Sequence, residues 1–192
     1  MTKKVILFLI IIIISLSSTS CLTCEKKEYV FQVLKDNKIR LTIKYLNIFS
    51  SLIDSVQEID HDYDELINMW LEGDKIERDF PKAKKVKKRL YVEKGELNGE
   101  ITMLFDNYQD ARLYRYLNND FYMFSMSSVN DDGENFFQSN GDFGGDVMPV
   151  VFWSKEEKTL RLVTKIATPD STCVSMAGMW ENKYKKRRIS AP

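Results

Sequence analysis

The chain has 192 residues and a mass of 22.5 kDa, which is one domain's worth of protein. With 44% hydrophobic and 29% charged residues it is neither a disordered chain nor a multi-span membrane protein. Lysine plus arginine and aspartate plus glutamate each number 28, so the basic excess of a general nucleic-acid binder is missing, and the one histidine, His61, leaves little room for His-rich metal centres or triad chemistry.

In chain order, the first informative stretch is MTKKVILFLIIIIISLSSTSCLTC. Lys3 and Lys4 make a short positive region. Val5 to Leu16 is an apolar run interrupted only by Ser15, too short to span a bilayer comfortably but matching a signal-peptide core. Ser17, Ser18, Thr19 and Ser20 follow, and then Cys21. This order of charge, apolar core, small residues and cysteine resembles a bacterial lipoprotein precursor. The family pattern favours Leu three places before the cysteine, where this chain has Ser18. The resemblance covers residues 1–21 and implies cleavage after Ser20, lipidation of Cys21 and attachment to a membrane of the bacterial cell envelope. Plain secretion with cleavage after Ser20, or a retained anchor, are the other readings of the same stretch. Removal of residues 1–20 leaves 26 basic and 28 acidic side chains, a net charge of −2 that selects no partner.

Residues 21–28 read as a lipidated tether, residues 29–182 as a single globular domain and residues 183–192 as a basic tail. Cys24 and Cys173 are a candidate disulfide for an oxidising envelope; the alternative is Cys24 in the tether and Cys173 as a small buried hydrophobe. Tyr29, Phe31 and Val33 alternate, a turn follows at 35–38, and Ile39, Leu41 and Ile43 alternate again, which predicts a hairpin, with a helix from near residue 28 as the rival. From 41 to 57 the spacing of Leu41, Tyr45, Ile48, Phe49, Leu52 and Val56 turns helical, and Tyr63, Leu66, Ile67, Trp70 and Leu71 repeat it up to Gly73. Beyond Pro81 the pattern predicts paired strands: 89–93 with 100–105, 111–117 with 121–127, and 147–153 with 159–167, followed by 173–180. The expected fold is α+β, with N-terminal helices packed on a six- or seven-stranded antiparallel sheet or partial barrel.

The acidic cluster Asp54, Glu58, Asp60, Asp62, Asp64 and Glu65 around His61 has the ligand types for a divalent cation, but reads more simply as a solvated helix face with an N-cap, and no metal is expected. Basic runs at 82–89 and 183–188 read as guards on strand edges and ordinary solvation, with anionic lipid or polysaccharide as the functional alternative. An EF-hand on Gly133 fails because positions 1 and 12 are Ser128 and Ser139, and the Gly-rich segment at 140–145 lacks the GKS or GKT and the helix of a phosphate loop. The long acidic and aromatic segment at 129–146 is the candidate binding loop, through Asp131, Asp132, Glu134, Phe136, Phe137, Asp142, Phe143 and Asp146. No nucleophile arrangement or cofactor motif stands out.

The functional expectation is a lipid-anchored envelope protein that binds rather than catalyses. It is a protein-binding module such as a periplasmic inhibitor or toxin-immunity factor, or else a carrier of a small apolar or glycan ligand in an aromatic-lined barrel. Its expected partners are the membrane, through the anchor, and a protein; no nucleic acid is expected.

Overall fold

The computed structural model describes residues 21–51, 56–116, 120–126 and 133–184. Among them, eleven strands form two antiparallel sheets. The strands are β1 (Leu22–Val33), β2 (Ile39–Ser50), β3 (Lys84–Glu93), β4 (Glu96–Phe105), β5 (Tyr114–Tyr116), β6 (Phe121–Ser125), β7 (Asn135–Ser139), β8 (Asp142–Phe143), β9 (Val150–Ser154), β10 (Thr159–Lys165) and β11 (Val174–Ser175). The large sheet runs β3-β4-β2-β1-β10-β7 with β11 added beside β2; the small sheet runs β5-β6-β9-β8. The helices are α1 (Val56–Glu65), continued by a wider π turn (Leu66–Leu71), α2 (Lys75–Asp79) and α3 (Ala177–Met179), continued over Trp180–Tyr184. The expected α+β plan of N-terminal helices on one sheet is therefore overturned: the described residues are mostly β, and their first two strands are the longest.

The hairpin expected at 29–44 is present and longer than anticipated. The segment from 41, read as helical, is instead the second half of β2. The reason lies at Asn47, whose φ is +54°, a left-handed conformation that Asn tolerates well. Its amide N–H donates to Asn98 Oδ1 at 3.0 Å and its Nδ2 donates to Glu25 Oε2 at 3.3 Å. The kink reverses the alternation of side chains, so that Tyr45 and Ile48, three apart, face the same cleft, as do Lys27 and Cys24 opposite them. A strand kinked at one residue, with its pairing register unbroken, thus imitates a helical period. The second predicted helix, around 63–71, is observed.

The expected tether is also corrected. β1 begins at Leu22, pairs with Ser50 across the sheet, and buries Cys24. Cys21 is held as well: its carbonyl accepts from the Ser51 amide at 2.9 Å and from Ser51 Oγ at 3.1 Å.

A second correction concerns β9 and β10, expected to form a hairpin. They belong to different sheets: β9 pairs with β6 and β8, β10 with β1 and β7. The ribbon of β7–β8 against β9–β10 folds sharply at Ser139-Asn140-Gly141. Asn140 Oδ1 accepts from the Trp153 indole at 2.8 Å and from the Arg161 amide at 2.7 Å, while its Nδ2 donates to the Thr159 carbonyl at 2.8 Å. Gly141 packs so tightly that an added Cβ would lie 2.3 Å from the Phe152 carbonyl oxygen and 2.5 Å from Trp153 Cδ1. The segment read as a Gly-rich loop is therefore the corner that carries the chain between sheets.

The main core lies between the sheets. Phe31 on β1 meets Phe124 and Trp153 of the small sheet at ring-centroid distances of 5.4 and 6.5 Å, and Leu41, Met103, Phe105 and Leu160 fill the space around them. Among the described residues the space between the sheets is occupied by these side chains. A second cluster joins α1 and its π turn, through Tyr63, Leu66 and Ile67, to Cys24, Ile48, Leu97 and Met176. Tyr45 and Trp70 touch both clusters, so helix and small sheet cover different parts of one face of the large sheet. The opposite face carries polar ladders, with Glu28 between Lys44 and Arg161.

Candidate functional site

Between those two coverings the large sheet is left open. The resulting cleft has a volume of about 810 Å3 and is lined by strand residues including Ile43, Tyr45, Ile48 and Ile101, by Trp70 and Leu71 of the π turn, and by Ile76 and Phe80 at α2. Its size is in the range of small-molecule sites. Apolar and aromatic side chains supply most of the wall, and ionised groups stand among them.

The deepest of these is a buried network. Lys27 on β1 continues the inward stripe of Tyr29 and Phe31 and is 8% exposed. The Glu134 side chain, fully buried just before β7, accepts from Lys27 Nζ at 2.8 Å, from the Tyr29 hydroxyl at 2.9 Å and from Thr164 Oγ1 at 2.7 Å. Lys27 Nζ also lies 5.4 Å from the Tyr45 ring centre. Burial, and next the neighbouring Glu134 carboxylate, push the Tyr29 phenol far above its ordinary range. An unfolded tyrosine ionises near pH 10, so the folded chain keeps a proton there that the unfolded chain releases. The stability linked to Tyr29 is thus complete below about pH 10 and lost as the pH rises. Absorbance at 295 nm should show Tyr29 ionising only together with alkaline unfolding; ionisation in the still-folded chain would contradict this placement.

The charged groups at the rim are engaged too. Lys75 pairs with Asp79 at 2.8 Å, Lys88 with Glu77 at 2.9 Å and Arg89 with Glu100 at 2.9 Å. Arg112 donates to the Asp79 carbonyl at 3.0 Å and lies 4.5 Å over the Phe80 ring. Such exposed pairs add little stability. They do set the shape and the charge pattern of the opening.

The predicted site residues are not brought together. Asp131 and Asp132 lie outside the described residues. Glu134 is no solvent-facing loop residue but the buried acceptor just described. Phe136 and Phe143 stack at 4.0 Å with rings 2° apart, fastening β7 to β8 across the corner. Phe137 is exposed, with Lys26 Nζ 5.0 Å from its ring, and Asp142 and Asp146 point to solvent. Most of the expected loop is therefore strand, corner and turn. The candidate disulfide is not formed: no bridge joins Cys24 and Cys173. Cys24 faces Ile48 from one side of β2, while Cys173 immediately precedes Val174, the partner of Ser50 on the other side. Two strand spacings, about 10 Å, exceed the ~7 Å reach of a disulfide.

The acidic cluster is dispersed as well. Asp62 is buried, Asp60 pairs with Lys183, Glu65 accepts from the Trp70 indole at 3.4 Å and His61 is exposed. Asp54 and the Glu58 side chain lie outside what is described. No group of three or more metal-ligating side chains occurs among the described residues. Of the first basic run, Lys84 pairs with Asp106 and Lys88 with Glu77, and β3, which carries most of it, is an edge strand, in keeping with the guard reading.

Sequence reasoning missed the cleft. A signal was present: Lys27 stands in phase with Tyr29, Phe31 and Val33, and a lysine on an inward stripe requires a buried acid. It also missed a second surface. Tyr114 and Met123, and Tyr116 and Phe121, pair across β5 and β6, and Met123 pairs with Phe152 on β9. These residues make an aromatic outer face on the small sheet, with Tyr114 and Tyr116 nearly half exposed and Tyr116 5.3 Å from Phe152.

Comparison with protein-family models, curated proteins and solved structures finds no match for this chain. Among the described residues no helix is long and apolar enough to cross a membrane.

Proposed function

We propose that this protein is a bacterial envelope protein, anchored through a lipid on Cys21, that binds an amphipathic small molecule in the cleft on the large sheet. The observation that carries the reading is the 810 Å3 opening, whose wall is apolar and aromatic and whose ionised groups are already paired. Groups held in ion pairs orient a ligand's polar end; they are poorly placed to act as free acid, base or nucleophile. The ligand site expected inside a barrel thus moves to the side of a filled sandwich. The N-terminal pattern, from Lys3 to Cys21, supports the anchor and the envelope location.

Native mass spectrometry of the processed protein, released from its membrane in mild detergent, tests this reading. The expected result is extra mass of a few hundred daltons that disappears on denaturation and is missing from Leu71→Arg, which places a charge in the apolar wall. A bare protein that also fails to bind a fluorescent apolar probe sinks the proposal.

The second reading, a protein-binding module of the inhibitor or immunity type, is favoured by the outer face of the small sheet. Exposed tyrosine with neighbouring Phe and Met is the composition of interface anchors. A polypeptide that co-purifies with the wild type, and is lost from a Tyr114→Ala, Tyr116→Ala double variant with an unchanged melting temperature, selects this reading.

A further inference from the structure

The start of β1 bears on how the processed chain is finished. The backbone nitrogen of Cys21 donates to Asp62 Oδ1 at 3.2 Å, and Ser50 Oγ donates to Asp62 Oδ2 at 2.6 Å. Asp62 is only 2% exposed and Ser50 is fully buried. The Cys21 carbonyl is fixed by Ser51, just past the end of β2, so the nitrogen has little freedom to swing away. A buried carboxylate is costly unless it meets a donor or a positive charge. Cleavage between Ser20 and Cys21 replaces a peptide N–H at this place with an α-ammonium, at the position where a carboxylate is already set.

We infer that Asp62 is the receptor for the α-amino group of Cys21, so that processing completes a buried ion pair and locks the new N-terminus onto the sheet. This rests on cleavage after Ser20, which the lipid-anchored and the plainly secreted readings share. Asp62 is a positioning residue here; it takes no part in cleavage or lipid transfer. The ion pair needs a charged α-amine, so the inference also specifies the lipid form: chains on the sulfur and none on the nitrogen.

The test compares chains that begin at Cys21 and at Ser20, each with Asp62 and with Asp62→Asn. With Asp62, the chain beginning at Cys21 should melt about 3–6 °C higher, a typical effect of a one- to two-kilocalorie interaction in a protein of this size. With Asp62→Asn the two starts should melt together. Equal melting in the Asp62 pair, or a difference that survives Asp62→Asn, overturns the inference. Should Asp62→Asn not fold, labelling with an amine-reactive ester at neutral pH decides. The Cys21 α-amine of the wild type should react about tenfold more slowly when folded than in urea, and equal rates overturn the assignment. The mass of the protein recovered from its own envelope separates the two ideas. A different mature start refutes the processing reading and leaves the melting result standing, and an acyl chain on the nitrogen refutes the inferred lipid form.

Discussion

Glu134→Gln is expected to destabilise the protein by about 3 kcal/mol or more, the range seen when one partner of a buried ion pair is removed. The glutamine keeps the volume and an oxygen for the hydroxyls of Tyr29 and Thr164, but it leaves the Lys27 ammonium, 8% exposed, without its countercharge. For a chain of this length the melting temperature should fall by about 6–12 °C. Adding Lys27→Met should recover at least half of the loss, because a well-packed apolar side chain in place of a buried charge is often neutral or better. Circular-dichroism melts of the two single variants and the double variant measure the coupling. Strictly additive losses would show that Lys27 and Glu134 do not depend on each other.

The second large effect is expected at the corner between the sheets. Gly141→Ala forces a methyl group to within 2.3 Å of the Phe152 carbonyl oxygen and 2.6 Å of the Trp153 indole nitrogen. Backbone and a buried indole that is 1% exposed cannot move aside as a flexible side chain would. A cost of about 3 kcal/mol is expected, at the upper end for overpacking. Gly178→Ala is the control: nothing lies within 4 Å of its added carbon, so that change should be neutral or slightly stabilising. Urea unfolding of both variants makes the comparison, and equal midpoints would show that the corner tolerates the extra carbon.

These two sites show what was readable in the sequence and what was not. Hairpin signals were legible where alternation and a turn coincide, as at Tyr29 to Ile43; the pairing of 89–93 with 100–105 was legible too, but the turn is only Lys94-Gly95, both with positive φ, and β4 already begins at Glu96. The helix around Tyr63 and Leu66 was legible from its period. Legibility failed where one residue changes the phase. Asn47 reverses the side-chain alternation and makes Tyr45 and Ile48 look helical. The β9–β10 turn joins two sheets, because Asn140 draws Trp153 and Arg161 to one corner, and such long-range contacts leave no local mark. The cleft failed to show because its walls come from segments far apart, with Lys27 and Glu134 separated by 107 positions.

Because β1 starts at Leu22, a protein lipidated at Cys21 has no leash. A linker of ten extended residues would let a domain roam about 35 Å above the lipid. Here Cys21 is already tied to the folded body, through Ser51 and Asp62, and lines the cleft as well. Such a protein would sit on the bilayer like a post set in a floor, with its stand-off set by the fold. With the anchor at Cys21, a residue that lines the cleft, the opening would lie near headgroup level, and molecules leaving or entering the leaflet would reach it by lateral diffusion in two dimensions. A linker inserted between Cys21 and Leu22 would keep the binding chemistry and forfeit that proximity.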